Sequence, residues 1–327
     1  MLLIDGSVLE GGGQMVRSAA ALSALSGTPF RMERIRAGRE RLGLRPQHCA
    51  AIRAVAGACG GRAEGCSPDS TWIEFFPGTV READLELAIG TAGSIPLVLQ
   101  AWLPVVLATG GSLSVTGGTE VPGAPTIEYF LHVLLPVLSS HGAMVEAEVK
   151  RRGYYPSEGG LVEVEVRPSR LTPIVPDTDS SGIWSCSSGL PGHVAERQAN
   201  SASRRIGKET GQKIPVTLDS REGPGTGSSC TAFLGCKGGS ALGRRGFPAE
   251  KVGEAAAGAL IGELGSAGTV DRHLADQLLI YIARYGGEYS TSAYTLHSRT
   301  MCWLLGQFGY PVDVTEGTEV RFHAACA

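Results

Sequence analysis

Short runs of alternating apolar and polar residues take turns along this chain with longer runs whose apolar positions recur every three or four residues. The segment "MLLID" reads as a strand, and residues 11–26 follow as a helix with one apolar face. "FRMERIRAG" reads as a strand and "LRPQHCAAIRAVAGACGG" as a second helix, with Pro46 suited to its first turn. "RAEGC" and "TWIEFFPG" close the unit as strands. The order then recurs: strand "DLELAIG", helix "TAGSIPLVLQAWLPVVLATG", strand "SLSVTGG", helix "TIEYFLHVLLPVLSSHG", and strands "AMVEAEVKRRG" and "GLVEVEVRPS". A period of roughly 80 residues is longer than that of a solenoid and marks duplicated α+β units.

A third unit appears at the end of the chain. Helix "HLADQLLIYIARYGG", strand "EYSTSA", helix "HSRTMCWLLGQFG" and strands "YPVDVTEG" and "TEVRFHA" match the later part of the pattern. Its opening strand is expected before residue 180. The roughly 90 residues between read as an insertion with elements of its own, large enough to form a small domain. These are helix "GHVAERQANSASRRIG", strands "IPVTLDS", "SSCTAFLG" and "GGSALGRRG", and helix "PAEKVGEAAAGALIGELG".

Composition narrows the possible partners. With 43% hydrophobic and 19% charged residues the chain has material for a large core. A net charge of −3 argues against wrapping duplex nucleic acid, so any such contact should be local, as at a strand end. The eight cysteines form no C-x-x-C pair and no zinc spacing. No run is long and apolar enough to span a membrane. The reading is a cytoplasmic protein with reduced thiols and no membrane partner.

Candidate chemistry lies at the strand–helix junctions. In "EGGGQMVR" three glycines open a helix, so its free N–H groups can receive a phosphate, with Arg17 one turn further in. Glu10 beside a phosphate needs a cation between them, which points to Mg²⁺ or Mn²⁺. The alternative is a tight junction with glycine chosen for packing. Arg34, Arg36, Arg39, Arg41 and Arg45 follow within twelve residues and suit two-point phosphate contacts, or form a solvated loop. Gln47 and His48 open the next helix. Gln100 lies among Leu, Val and Trp and needs a partner, either a ligand or a backbone carbonyl. His297 sits near a helix start, where the dipole keeps imidazole neutral; it is either a nucleophile toward phosphorus or a capping histidine. Asp276, in "HLADQ", either orients that imidazole, binds metal, or is a plain first-turn acid.

Taken together, "EGGGQMVRSA", "IRAGR", "GLRPQH", "FFPGTV", "GTAGSIPLVLQ", "GGTEVPGAP", "RRGYYPSEGG", "GLPGHVAER", "HLADQL" and "TLHSRT" resemble the RNA 3′-terminal phosphate cyclase family along nearly the whole chain. The resemblance implies an α+β fold of three βαβαββ repeats, with a small α/β domain inserted in the third. The boundaries expected are 1–177 and 268–327 for the large domain and 178–267 for the insert. It implies ATP and a divalent metal, adenylylation of His297, transfer of AMP to an RNA 3′-terminal phosphate, and closure to a 2′,3′-cyclic phosphate. On the family's motifs Glu10 takes the metal-linked role. Arg17, Arg36 and Arg39 take phosphate-contacting positions, and Gln47, Gln100, His273, Leu274, Ala275, Asp276 and Gln277 take nucleotide-site positions. Two rivals stand beside it: a non-catalytic, cyclase-like branch acting in ribosome assembly, and an enolpyruvyl-type transferase. Oligomeric state is left open.

Overall fold

The structure, a computed structural model, describes residues 1–326. The first unit runs β1 (Leu2–Asp5), α1 (Gly13–Ser26), β2 (Phe30–Glu33), α2 (Pro46–Cys59), β3 (Arg62–Glu64) and β4 (Ile73–Phe76). Its sheet has the order β1-β2-β4-β3, with β1 and β2 parallel. β2 is shorter than its apolar pattern predicts. Arg34 and Arg36 take left-handed φ values of 54° and 58°, which turn the chain out of the strand into the arginine-rich loop. The second unit runs β5 (Asp84–Ala88), α3 (Ile95–Val106) and β6 (Gly111–Gly117). A helical stretch follows, made of α4 (Ile127–Tyr129), a π-helical segment (Phe130–Leu134) and α5 (Leu135–Ser140), and β7 (Met144–Arg151) and β8 (Gly160–Arg167) end the unit. The sheet order β5-β6-β8-β7 repeats that of the first unit.

The insertion is β9 (Ser181–Ser188), α6 (His193–Thr210), β10 (Val216–Arg221), β11 (Gly227–Leu234), β12 (Lys237–Leu242) and α7 (Ala249–Leu264). Its sheet runs β10-β9-β11-β12. β9 escapes the alternation rule because it carries four serines, with Ser185, Ser187 and Ser188 all buried. The insertion has a core of its own, centred on Ile183, Ile206, Cys230 and Leu260. The third unit resumes with α8 (Arg272–Tyr285), β13 (Gly287–Thr291), α9 (Leu296–Gln307), β14 (Asp313–Glu316) and β15 (Val320–Ala324), in a sheet ordered β13-β15-β14. The expected opening strand is reduced to one parallel bridge, Ile174 to Gly287. Pro173 and Pro176 flank Ile174 and cannot donate to a ladder. In the main core, α1 packs on α2, α3 and α9, and α8 on α3 and α9, so the helices of all three units meet in the middle.

The insertion is joined to the second unit through a buried guanidinium. Arg152, with 1% of its side chain exposed, donates to Asp219 Oδ2 at 2.9 and 2.6 Å and to Glu120 Oε1 at 3.3 Å, and it also pairs with Glu128. Beside it the His132 ring stacks on Trp184 and Phe233, at centroid distances of 4.5 and 5.2 Å. Glu128, Cys186 and Asp219 converge at this point; the guanidinium is the counter-ion of the two carboxylates, and burial holds the Cys186 thiol well above its ordinary pKa. Replacing Arg152 with Met should strand buried carboxylates and cost about 3–5 kcal/mol. Urea unfolding and limited proteolysis of the 178–267 segment measure it; an unchanged midpoint would show that the node carries no stability.

Candidate active site

A cavity of about 940 Å³ lies where the N-terminal ends of α1, α8 and α9 converge. α3 supplies one wall through Leu97 and Gln100, and the insertion supplies another through Gly238, Ser240 and Gly258. α8 and α9 begin with side-chain caps. Asp271 accepts the N–H groups of His273 and Leu274 at 2.8 and 2.9 Å, and Thr295 Oγ1 accepts that of Ser298 at 3.1 Å. α1 begins with Gly12 in extended conformation and no side-chain cap. Its first N–H groups therefore face the cavity end without a side-chain acceptor.

The glycines also make room for the protein's own groups. A Cβ on Gly12 would overlap the Glu10 carboxylate, and one on Gly13 would overlap the His48 ring. His48 is buried, and its Nδ1 accepts the Arg45 N–H at 3.0 Å, fixing the start of α2. Burial and the nearby Arg17, Arg36 and Arg45 hold its pKa well below the ordinary histidine value, so it is neutral.

Glu10 has only 7% of its side chain exposed. Its N–H donates to Thr300 Oγ1 on α9 at 3.2 Å. One carboxylate oxygen pairs with Arg39, while Oε2 is buried without a hydrogen-bond partner. Arg17 is 8% exposed and lines the cavity. Among the described residues nothing forms a hydrogen bond or ion pair with it, and burial lowers its pKa to about 10. A buried, unpaired cation is costly, and an anionic ligand would relieve it. Arg36 also lines the cavity; burial and Arg45 lower its pKa, and its Nε donates to Arg41 O at 3.2 Å.

His297 occupies the first turn of α9 and opens into the cavity, with 52% of its side chain exposed. Its Nδ1 lies 2.7 Å from Gln14 Oε1. An amide oxygen only accepts, so Nδ1 carries the proton and Nε2 keeps its lone pair. Gln14 Nε2 in turn donates to Asp276 Oδ2 at 3.4 Å. Asp276 is 3.9 Å from the imidazole, so it acts on the ring through Gln14. Burial, with Asp271 nearby, pushes Asp276 up to about 7. Burial first, and then Arg17, Arg39 and His273, lower the pKa of His297, which keeps it neutral at pH 7.

The remaining sequence candidates divide. Gln47 lines the cavity, and its Oε1 accepts the Ser94 N–H at 2.9 Å, tying α2 to the start of α3. The protein partner of Gln100 is a side-chain amide and not a backbone carbonyl: its Nε2 donates to Gln277 Oε1 at 2.8 Å. Gln277 Nε2 donates to His273 O at 2.9 Å. His273, Asp276 and Gln277 face the cavity, whereas Leu274 and Ala275 are fully buried in the core. Gln14 is the functional candidate that sequence reasoning passes over; its one signal was a position one turn before Arg17.

The family model described as RNA 3′-terminal phosphate cyclase matches residues 8–312. The RNA 3′-terminal phosphate cyclase of Thermococcus onnurineus is 41% identical, over 97% of this chain and 96% of its own. That of Archaeoglobus fulgidus is 43% identical, over 98% and 99%. Among solved structures, EPSP synthase from Acinetobacter baumannii superposes with a TM-score of 0.29 at 13% identity, over 94% of this chain and 62% of its own, too little to argue from. With a family model spanning nearly all of it and relatives this close along their whole length, the chain belongs to the RNA 3′-terminal phosphate cyclase family.

Proposed function

We propose that this protein converts an RNA 3′-terminal phosphate to a 2′,3′-cyclic phosphate in an ATP-dependent reaction that passes through AMP bound covalently to His297. The observation that carries the reading is one cavity holding both an imidazole with Nε2 free and a buried, unpaired Arg17. Nε2 attacks the α-phosphorus of ATP, a P–N bond forms, and pyrophosphate leaves with the bond electrons. The positive charge that develops on the ring is shared through Nδ1–H to Gln14 and onward to Asp276. Arg17 and Arg36, with the uncapped start of α1, hold the phosphates. AMP then passes from Nε2 to the RNA phosphate, and the neighbouring 2′-hydroxyl attacks that phosphate and expels AMP.

Glu10 suits a divalent cation. Its buried Oε2 lacks a protein partner, and Gly12 leaves the room its carboxylate needs. A bound Mg²⁺ or Mn²⁺ would neutralise charge on the phosphates. Gln47, Gln100, His273 and Gln277 form the wall we assign to the nucleoside. The RNA partner is read at its end alone, in keeping with a net charge of −3. We take 178–267 as an inserted domain, on the strength of its separate core, and 1–177 with 268–327 as the large one. No helix among the described residues is long and apolar enough to cross a membrane. The free thiols of Cys49, Cys66 and Cys186 agree with a cytoplasmic setting.

Incubation with α-labelled ATP and metal should label the protein with an acid-labile, alkali-stable adduct. His297→Ala should abolish it and His323→Ala should not; labelling of His297→Ala would refute the nucleophile. Because the pKa of His297 is lowered, the imidazole itself should limit labelling only below the ordinary histidine value near 6.5, and any change in rate near pH 7 should belong to Asp276 and be absent from Asp276→Asn. A midpoint above 6.5 in Asp276→Asn would contradict a lowered histidine pKa.

Glu10→Gln keeps the shape and removes the charge. Labelling should fall by about two orders of magnitude and recover in part at high metal. Unchanged metal dependence would return Glu10 to a structural role.

Asp276 supplies a linkage test. Its folded pKa is raised to about 7 from 3.8, so wild-type stability is full below about pH 4, declines by on the order of 1 kcal/mol per pH unit, and levels off above about 7. Asp276→Asn should therefore gain on wild type between those limits in thermal melts at pH 4.5 and 8, while its labelling slows. A pH-independent difference would show that Asp276 titrates normally.

A further inference from the structure

Arg39 stands in the place where the proposed function needs a cation. Its guanidinium pairs with the Glu10 carboxylate and also donates to the Glu10 carbonyl at 3.3 Å. These are the only partners it has among the described residues. The loop that carries Arg39 is fixed at both sides. Arg34 pairs with Asp5 at 2.9 Å, Arg36 donates to Arg41 O at 3.2 Å, and Arg45 donates to Leu42 O at 2.6 Å. The side chain itself, 43% exposed, is held by Glu10 alone. An otherwise rigid loop thus presents one movable guanidinium to one buried carboxylate.

We propose that Arg39 is an internal counter-ion that keeps free divalent cations off Glu10 until phosphate arrives. The inference rests on the reading of Glu10 as a metal ligand. In the empty site Arg17, Arg36 and Arg39 all face the cavity, His48 and His297 are neutral, and burial keeps Asp276 largely protonated below pH 7. Glu263, the other carboxylate on the cavity wall, is paired with Arg272, so Glu10 is the carboxylate left to these arginines, and Arg39 already neutralises it. A lone divalent cation must break that pair in a field of three guanidinium groups. A cation arriving on a polyphosphate gives the displaced guanidinium a new anionic partner, and the exchange becomes nearly balanced. Metal uptake is thereby tied to nucleotide uptake.

The test is titration of the full-length protein with Mn²⁺ alone, without nucleotide, following the free-ion EPR signal. Arg39→Ala should bind Mn²⁺ roughly tenfold more tightly than wild type, the scale of one half-buried ion pair. Arg39→Lys, which keeps the charge, should stay near wild type. The double variant Glu10→Gln/Arg39→Ala should lose the gain. If Arg39→Ala binds no tighter while Glu10→Gln abolishes binding, the counter-ion role is wrong and the metal reading stands. Should Glu10→Gln leave Mn²⁺ binding untouched in both backgrounds, the metal reading itself fails. A gain equal in the Lys and Ala variants would trace the effect to a loosened loop, and would overturn the proposal.

Discussion

Gln14 can bridge Asp276 and His297 only if the first turns of α1, α8 and α9 meet at one point. Everything else about the site depends on that convergence. Three helix starts aimed at one cavity bring three sets of partly positive N–H groups together, and arginines add to them. The protein offsets this field unevenly. α8 and α9 are capped by Asp271 and Thr295, whereas α1 has no side-chain cap. What is left over is a positive field at the start of α1, beside an imidazole that burial first, and then the nearby arginines, keep neutral. An anion and a neutral imidazole can thus sit side by side, which is the arrangement the proposed reaction needs.

The convergence is a product of repetition. Each repeated unit buries one face of its helices against the helices of the others, so apolar periodicity reports the units well. The site, by contrast, is assembled from pieces that no local pattern connects. Gln14 lies 262 residues from Asp276 and 283 from His297. A neutral amide acquires a chemical role only from those two neighbours, so its place one turn before Arg17 does not by itself announce it. The charged candidates were legible because Arg and His carry their chemistry with them. Gln100 was legible as an anomaly in an apolar run and Gln47 only through the family's motifs, though their partners, Gln277 and Ser94, were not.

The same logic explains which elements stayed hidden. β9 is buried on both faces, so it lacks alternation, and two of its serines are matched from outside the strand: Ser185 donates to Ala195 O at 2.8 Å and Ser187 shares a hydrogen bond with Ser220 at 2.9 Å. β2 loses its second half to left-handed arginines, a conformation that strand propensity does not register. The insertion was recognisable as an interruption, but not its attachment. Arg152 reads as one more charge in a polar stretch until Glu120, Glu128 and Asp219 close around it.

The third unit, whose opening strand has shrunk to the bridge at Ile174, has a consequence for biosynthesis. During synthesis the first two units can close their own sheets as they emerge, since each sheet draws on contiguous chain. The third sheet is equally contiguous, but its bridge to Ile174 must wait until the insertion has been made. His297, our proposed nucleophile, belongs to that last unit, so a growing chain carries Glu10, Arg17 and Gln14 for most of its synthesis without His297 beside them. Such long-range closure is intrinsically slow. The cavity needs α8 and α9 as well as α1, so it is complete only after α9 has been made.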